Sequence, residues 1–136
     1  MLEFVVEKLV PHAKLPAKQH KTDSGWDIYD AYTNCKYWVL GPGETRAVST
    51  GIRICLPPGW EAVIWPRSGL ASEGVWAHPG KIDETYTKEL KVILTNLNVY
   101  PSRVRKFGPG SRIAQIQFYP RFELTMREGY VHETIS

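Results

Sequence analysis

The sequence predicts an all-β sandwich or barrel with at most one short helix. Helical periodicity is nearly absent over the 136 residues, whereas short runs rich in β-branched and aromatic residues recur at close spacing. The runs are separated by turn signals, among them "GPGE", "PPGW", "HPGK" and "FGPGS". Many short strands at close spacing are typical of β-sandwiches and barrels.

Nine runs are predicted strands, in chain order "EFVVEKLV", "WDIYDA", "KYWVL", "TRAVST", "IRICL", "WEAVIW", "LKVILTN", "RIAQIQFY" and "FELTM". The one helix signal is a turn or two at "SGLASEG". The stretch "GKIDETYTKE", residues 80–89, is interpreted as the bend of a hairpin. Gly80 and the polar run 83–88 form its turn, while Ile82 and Tyr86 are strand residues and "LKVILTN" is the next strand.

The length predicts one domain, residues 1–126, followed by a mobile tail at 127–136. Hydrophobic residues make up 43% and charged residues 23%, which is ordinary for a globular protein. The 17 Lys and Arg against 14 Asp and Glu give a net charge of +3. The densest basic cluster, "RVRK" at 103–106, is interpreted as a solvated strand end, so we expect no direct binding of nucleic acid.

The two cysteines, Cys35 and Cys55, lack the spacing of a zinc site. A disulfide between them is one alternative; two half-buried thiols in a reducing compartment are the preferred one. The first ten residues carry Glu3 and Glu7 and no basic flank, so no signal peptide is expected. No apolar run reaches membrane-spanning length. We therefore expect a cytoplasmic protein, or a nuclear one in a eukaryotic host, without membrane contact.

Four short stretches carry the candidate chemistry, and each alone has an ordinary structural explanation. "DSGWDIYDA" at 23–31 is compatible with an Asx-turn before a strand. In "PRSGLAS", an arginine, a hydroxyl and main-chain N–H groups suit an anion, but a capped helix with an exposed arginine fits equally. In "GSRIAQ", an ordinary role for the Gln115 side chain is an inward-facing amide with a main-chain partner. Asp83 and Tyr86 are compatible with a solvated turn and a half-buried ring.

Taken together, the four stretches resemble in order and spacing the first four motifs of the trimeric all-β dUTPases. Ser24-Gly25-Trp26-Asp27-Ile28 is similar to A-G-x-D-L, and residues 66–71 match P-R-S-G-L-A without change. Residues 80–89 are similar to G-V-I-D-x-D-Y-x-G-E, and residues 110–115 match G-x-R-I-A-Q. The resemblance covers residues 5 to about 120. It implies a distorted jelly roll, a sandwich-like barrel of the dUTPase type. The related dCTP deaminases fit less well, because their arginine-rich serine motif and catalytic glutamate stretch are missing.

The resemblance also implies a reaction, the hydrolysis of dUTP to dUMP and pyrophosphate. Asp83 would activate the water that attacks the α-phosphate, and Tyr86 would stack under the deoxyribose. The remaining substrate-binding residues would be Gly80, Lys81, Ile82 and Lys91 near the nucleoside, and Arg67, Ser68, Gly69 and Gln115 near the phosphates. Asp27 and Arg112 would have supporting roles. The resemblance further implies a Mg²⁺ cofactor held mainly by the triphosphate and waters, with no protein metal ligands, and a homotrimer with sites at subunit boundaries.

The chain departs from the family pattern at Lys81, at Lys88 and in the fifth motif. Lys81 replaces an aliphatic residue beside the base, where either its main chain suffices or its ammonium reaches a phosphate. Lys88 replaces a glycine, which matters only at a positive φ. The family's fifth motif, R-G-x-G-G-F-G-[ST], is not found after Pro120 in "RFELTMREGYVHETIS". This last departure predicts slow turnover and keeps an alternative open: a trimer that mainly binds dUTP or a protein partner.

Overall fold

The computed structural model describes residues 2–132, which form eleven β-strands and one short helix. The strands are β1 Val5–Lys8, β2 Trp26–Tyr29, β3 Trp38–Leu40, β4 Thr45–Ser49, β5 Ile52–Cys55, β6 Trp60–Trp65, β7 Val75–Ala77, β8 Gly80–Ile82, β9 Lys91–Asn96, β10 Arg105–Phe107 and β11 Arg112–Pro120. The helix, α1, is Ser68–Ser72. The predicted all-β class with one short helix is confirmed.

The strands pair antiparallel in four small sheets. The largest has the order β2-β11-β6-β8, and a three-stranded sheet has the order β4-β9-β7. Two further pairs are β1 with β5 and β10 with β3. Neighbours in sheets are mostly distant in sequence, so the connections cross between sheets, as they do in jelly rolls.

One core cluster contains residues from all four sheets. On β9, Val92 and Leu94 alternate with exposed residues, and Asn96 continues the buried side. Ile64 of β6 and Ile116 of β11 belong to the same core cluster. This alternation fixes the register, because a slip by one residue would move every apolar side chain to the solvent side.

One buried carboxylate, that of Asp30, organises the start of the long strand β11. It accepts hydrogen bonds from the N–H groups of Gly110 (2.7 Å) and Ser111 (3.0 Å). It also accepts the Trp38 indole N–H at 3.1 Å and the Tyr32 N–H at 3.1 Å. These four donors satisfy the Asp30 carboxylate, which belongs to a residue that is only 2% exposed. A charge can be buried when it is hydrogen-bonded in this way. The turn that delivers β11 to the site is thereby held in place.

The predicted hairpin at residues 80–89 is wrong in its pairing. Gly80 begins β8 and is not part of a turn, and Tyr86 lies in an irregular stretch, not in a strand. β8 pairs with β6, whereas β9 pairs with β4 and β7. The segment therefore crosses from one sheet to the other, and its bend joins two strands that do not pair with each other.

Three further expectations differ from the structure. "FELTM" is not a strand: β11 ends at Pro120, and no regular secondary structure follows up to residue 132. Cys35 and Cys55 are free, as preferred, but both are exposed and not half-buried. Of the predicted tail, residues 127–132 are exposed, and 133–136 lie outside the described residues. Among residues 2–132 no helix has the length and hydropathy to span a membrane.

Candidate functional site

A cleft of about 220 Å³, lined by polar and charged side chains and named the anion cleft, lies where β2, the start of α1 and β11 meet. Its floor is an ion-pair triad in which the Asp27 carboxylate lies between two guanidinium groups. One carboxylate oxygen is 3.6 Å from Nε of Arg67 and the other is 3.6 Å from Nη1 of Arg112. The Asp27 side chain is only 16% exposed, so water screens these pairs less than it does at the surface. Both arginines are therefore held at the cleft.

The chain turns into α1 at the same cleft with its first helical N–H groups uncapped. Arg67 occupies the N-cap position, and no side chain caps the helix. Ser68 lines the cleft, and among residues 2–132 its hydroxyl has no hydrogen-bond partner. A Cβ added at Gly69 would meet no atom within 4 Å, so packing within the chain does not require a glycine there. These features leave donors and space for a ligand.

The amide of Gln115 ties β11 to the loop before the helix. Its Nε2 donates to the Pro66 carbonyl at 3.2 Å. A Cβ at Gly25 would lie 2.4 Å from Oε1 of Gln115, so a larger residue there would displace the Gln115 amide. One amide N–H of Gln115 is engaged by this bond, and the second remains available to a ligand.

The cleft also contains three residues that the motifs did not indicate: Gln19, His20 and Asp23. They belong to the loop before β2, whose ends are joined by the main-chain bonds between Ala17 and Asp27 at 2.7 and 3.1 Å. No motif residue identifies Gln19 or His20, and Asp23 only begins the stretch 23–31, because only the fold brings this loop to α1 and β11. With histidine neutral, the charged lining residues are Arg67 and Arg112 against Asp23 and Asp27, which sum to zero.

A second, smaller cleft of about 150 Å³ lies at the opposite edge of the four-stranded sheet. It is lined by Ile64, Gly80, Lys81, Ile82, Tyr86, Leu90 and Lys91. β8 is the edge strand here, because it pairs with β6 on one side only. An edge strand presents main-chain N–H and C=O groups that no neighbouring strand uses.

The turn after β8 is clamped by its two glutamates. Glu84 accepts hydrogen bonds from the Gly59 N–H at 2.7 Å and from Arg121 at 3.0 Å. Glu89 accepts the Gly51 N–H at 2.9 Å. Sequence reasoning missed both residues, because their partners are more than 20 residues away in the chain. The two clamps fix the segment that holds Asp83 and Tyr86.

Asp83 and Tyr86 lie on that clamped turn. The Tyr86 N–H donates to the Asp83 carbonyl at 2.9 Å, and the Tyr86 hydroxyl donates to the Glu89 carbonyl at 2.8 Å. The ring is 39% exposed and lines the small cleft. The Asp83 carboxylate is exposed, and among the described residues it has neither an ion pair nor a hydrogen bond. An unpaired carboxylate beside a held aromatic ring is available as a base.

The structure resolves two of the departures. Lys81 Nζ is 3.2 Å from a carboxylate oxygen of Glu61, so its ammonium is paired within the chain. Lys88 needs no positive φ, because Asn34 is the single non-glycine residue with one in the described part of the chain.

The predicted residues fall into two separate groups. Asp27, Arg67, Ser68, Arg112 and Gln115 line the anion cleft, whereas Gly80, Lys81, Ile82, Tyr86 and Lys91 line the small cleft. The clefts share no residue; Asp83 and Gly69 line neither. Three strand spacings, roughly 14 Å, separate β2 from β8 within the sheet. One chain does not bring the two groups into one cavity.

Within residues 2–132, no group of three or more His, Cys, Asp or Glu side chains is arranged to hold a metal ion. The Asp27 oxygens each face a guanidinium group, which makes them poor direct ligands. A hard cation such as Mg²⁺ prefers oxygen ligands and retains water. The cleft fits such an ion when a bound polyphosphate supplies most of the oxygens.

Comparison with known proteins identifies one family. The dUTPase family model matches residues 11–133. The deoxyuridine 5'-triphosphate nucleotidohydrolase of Clostridioides difficile is 40% identical over 131 residues, which cover 94% of this chain and 87% of that protein. The enzyme of the same name from Mycolicibacterium gilvum is 40% identical over 116 residues, covering 83% of this chain and 71% of that protein.

Solved structures agree in fold. A mutant dUTPase of Staphylococcus bacteriophage 80alpha, solved with dUpNHpp, has a TM-score of 0.86 at 24% identity and covers all of this chain and 93% of that one. A mutant dUTPase of phage phi11 of S. aureus, described with a structural Mg(II) ion, has a TM-score of 0.84 at 22% identity; the match covers 98% of this chain and 100% of that one. At these identities the likeness shows the fold, and the predicted dUTPase-type sandwich is confirmed.

Proposed function

The chain belongs to the dUTPase family, and from this premise we propose that it hydrolyses dUTP to dUMP and pyrophosphate. The observation that carries the proposal is the presence of two different clefts. One has fixed arginines and unpaired donors, and the other has an edge strand beside a tyrosine held by hydrogen bonds. The first suits a polyphosphate and the second suits a nucleoside. The 40%-identical relatives act on deoxyuridine 5'-triphosphate by their names.

Uracil is proposed to bind along the open edge of β8. The main chain of residues 80–82 offers donors and acceptors that pair with the base edge as another base would. A methyl group at C5 would clash with a strand edge, and an amino group at C4 would face a main-chain N–H and leave it without an acceptor. Base selectivity then depends on the main chain, and Lys81 and Lys91 border the cleft without reading the base.

The deoxyribose is proposed to stack on the Tyr86 ring. Its hydroxyl bond to the Glu89 carbonyl and its N–H bond to the Asp83 carbonyl hold the ring close to the strand. A rigid ring at this position fills the space that a 2′-hydroxyl would need. The same residue thereby separates dUTP from UTP.

Asp83 is proposed as the general base. Its unpaired carboxylate takes a proton from a water molecule, and the water oxygen forms a bond to the α-phosphorus. The bond from the α-phosphorus to the oxygen that bridges to the β-phosphate breaks in line. Pyrophosphate leaves with that electron pair, and dUMP remains. The clamped turn keeps the base in position, which matters because small misplacements are costly in rate.

Arg67, Ser68, Gly69 and Gln115 are proposed to hold the phosphates, with Asp27 and Arg112 supporting Arg67. A triphosphate carries about four negative charges at neutral pH, since only its terminal group ionises twice. The cleft has no net charge to oppose them. A Mg²⁺ ion bound by the phosphates and waters would supply the missing positive charge and polarise the phosphoryl oxygens.

A homotrimer is proposed because one chain leaves the two clefts apart. A neighbouring copy brings its anion cleft to the small cleft of the first, and the complete site then lies at the boundary. The exposed apolar side chains after β11 support assembly: Phe122, Leu124 and Met126 alternate with polar residues and are 76%, 82% and 99% exposed. Light scattering at micromolar concentration should give three times the monomer mass, and a monomer would contradict a shared site.

A second candidate function is a trimer that mainly binds dUTP or a protein partner. It is favoured by residues 121–136, which contain one glycine, Gly129, and no R-G-x-G-G-F sequence. We further propose a cytoplasmic location, since two exposed free thiols suit a reducing compartment.

Pyrophosphate release tests the proposal directly. The purified chain is incubated with Mg²⁺ and dUTP, and in parallel with UTP, dCTP and dTTP. Release from dUTP alone is expected. Tight dUTP binding without pyrophosphate would favour the binding function, and neither binding nor release would reject both.

A further inference from the structure

We infer that the His20 side chain contacts the outer phosphates of the nucleotide and makes the anion cleft prefer dUTP over dUMP. The inference rests on the proposed function and adds a residue from outside the four motifs. His20 lines the cleft together with Arg67, Ser68 and Arg112. It is exposed at the rim, where a ligand can reach it.

The turn that carries His20 is held by its main chain and by Asp23. The His20 N–H donates to the Asp23 carboxylate at 2.9 Å, and the Asp23 N–H donates to the His20 carbonyl at 3.0 Å. The loop ends are tied through Ala17 and Asp27. The His20 ring takes part in none of these bonds, so its identity is not needed for the turn.

The rings of two other histidines have partners within the chain. The His12 ring bonds with the Ala31 carbonyl at 2.8 Å, and the His78 ring bonds with the Thr95 hydroxyl at 2.8 Å. Across residues 2–132 the His20 ring has no hydrogen bond and no ion pair. Of these three histidine rings, that of His20 is the one that borders the anion cleft without a partner within the described residues. It is therefore available to donate to a ligand.

Charge explains why the outer phosphates are the expected target. The cleft's fixed charges cancel, two arginines against Asp23 and Asp27. A neutral imidazole still donates one N–H to a phosphate oxygen, and an imidazolium donates two and adds a positive charge. A triphosphate gains more from this than a monophosphate does, because it carries more negative charge and more phosphate oxygens.

The test compares two ligands on one set of variants. Calorimetry with Mg²⁺ measures the Kd of dUpNHpp and of dUMP for the parent, for His20→Ala, for His20→Arg and for Lys21→Ala. Lys21 is the matched control, since it is an exposed cation on the same turn that does not line the cleft. We expect His20→Ala to weaken dUpNHpp about tenfold, with dUMP changed less than about twofold. His20→Arg should restore dUpNHpp binding, and Lys21→Ala should leave both ligands unchanged.

Each other result has a definite meaning. The role of His20 would be overturned if His20→Ala left the ratio of the two Kd values unchanged, or if Lys21→Ala had the same effect as His20→Ala. Either result would leave the proposed function standing. A parent that binds neither uracil nucleotide would overturn both. Thermal unfolding checks that His20→Ala keeps the fold, and His20→Ser provides a second truncation should the alanine variant prove unstable.

Discussion

The two clefts are built by different means. The small cleft, which is the proposed nucleoside cleft, is formed by the open edge of β8, and the turn beside it is held by Glu84 and Glu89. The anion cleft is formed by charged and polar side chains from three parts of the chain, arranged around Asp27. If the clefts bind as proposed, main-chain recognition would tolerate a changed side chain such as Lys81, whose ammonium pairs with Glu61. Side-chain recognition would not, because each group is a specific donor or charge.

The largest expected effect separates chemistry from both kinds of recognition. Asp83→Asn should lower kcat on the order of 10²-fold or more, because an amide cannot accept the proton from water. Binding of dUpNHpp should stay within about twofold, since the Asp83 carboxylate lines neither cleft. Single-turnover kinetics and calorimetry measure the two quantities. A variant with the parent kcat would remove Asp83 from the mechanism.

A smaller effect is expected in the anion cleft. Arg67→Gln removes one arm of the ion-pair triad and changes the net charge of the lining from zero to −1. The Kd for dUpNHpp should rise about tenfold or more, whereas the Kd for deoxyuridine, which has no phosphate, should not change. Titration with deoxyuridine is therefore the control. Equal losses for deoxyuridine and dUpNHpp would mean that Arg67 supports the fold and not the phosphates.

The smallest effect is expected in the nucleoside cleft and concerns selectivity. Tyr86→Ala opens the space under the sugar, so the ratio of kcat/KM for dUTP over UTP should fall about tenfold. Tyr86→Phe keeps the ring and loses only the bond to the Glu89 carbonyl, so it should retain most of the selectivity. Steady-state kinetics with both nucleotides decide. An unchanged ratio in Tyr86→Ala would reduce the ring to a packing role.

The sequence was sufficient for what depends on local pattern. Alternation in "LKVILTN" and the Gly and Pro turns predict eight of the eleven strands in residues 2–132, and "SGLASEG" predicts α1, but β7, β8 and β10 are not among the predicted runs. It was insufficient where pairing decides. A polar bend between two apolar runs has the same sequence pattern in two cases. The flanking strands either pair with each other or, like β8 and β9, belong to different sheets. "FELTM" has strand-like alternation, but within the described chain it has no neighbour to pair with.

The candidate site divides along the same line. The four motifs indicate Asp27, Arg67, Asp83 and Tyr86, because each motif is contiguous in sequence. Gln19 and His20 have no motif, since they reach the cleft only through the bridge between Ala17 and Asp27. No motif assigns a role to Glu84 or Glu89, because nothing local marks Gly59 and Gly51 as their donors. The site residues that the motifs miss are those placed by contacts between residues distant in sequence.

The absence of any shared residue between the two clefts has a consequence for mixtures of damaged chains. If a complete site takes its base from one copy and its arginines from the next, two impaired variants can complement each other. Asp83→Asn chains still offer intact arginines, and Arg67→Gln chains still offer an intact base. Unfolded together and refolded as mixed trimers, they would contain some boundaries at which both contributions are undamaged. At dUTP concentrations below saturation, the mixture would then be more active than either preparation alone, in the way that two defective alleles of one gene can complement.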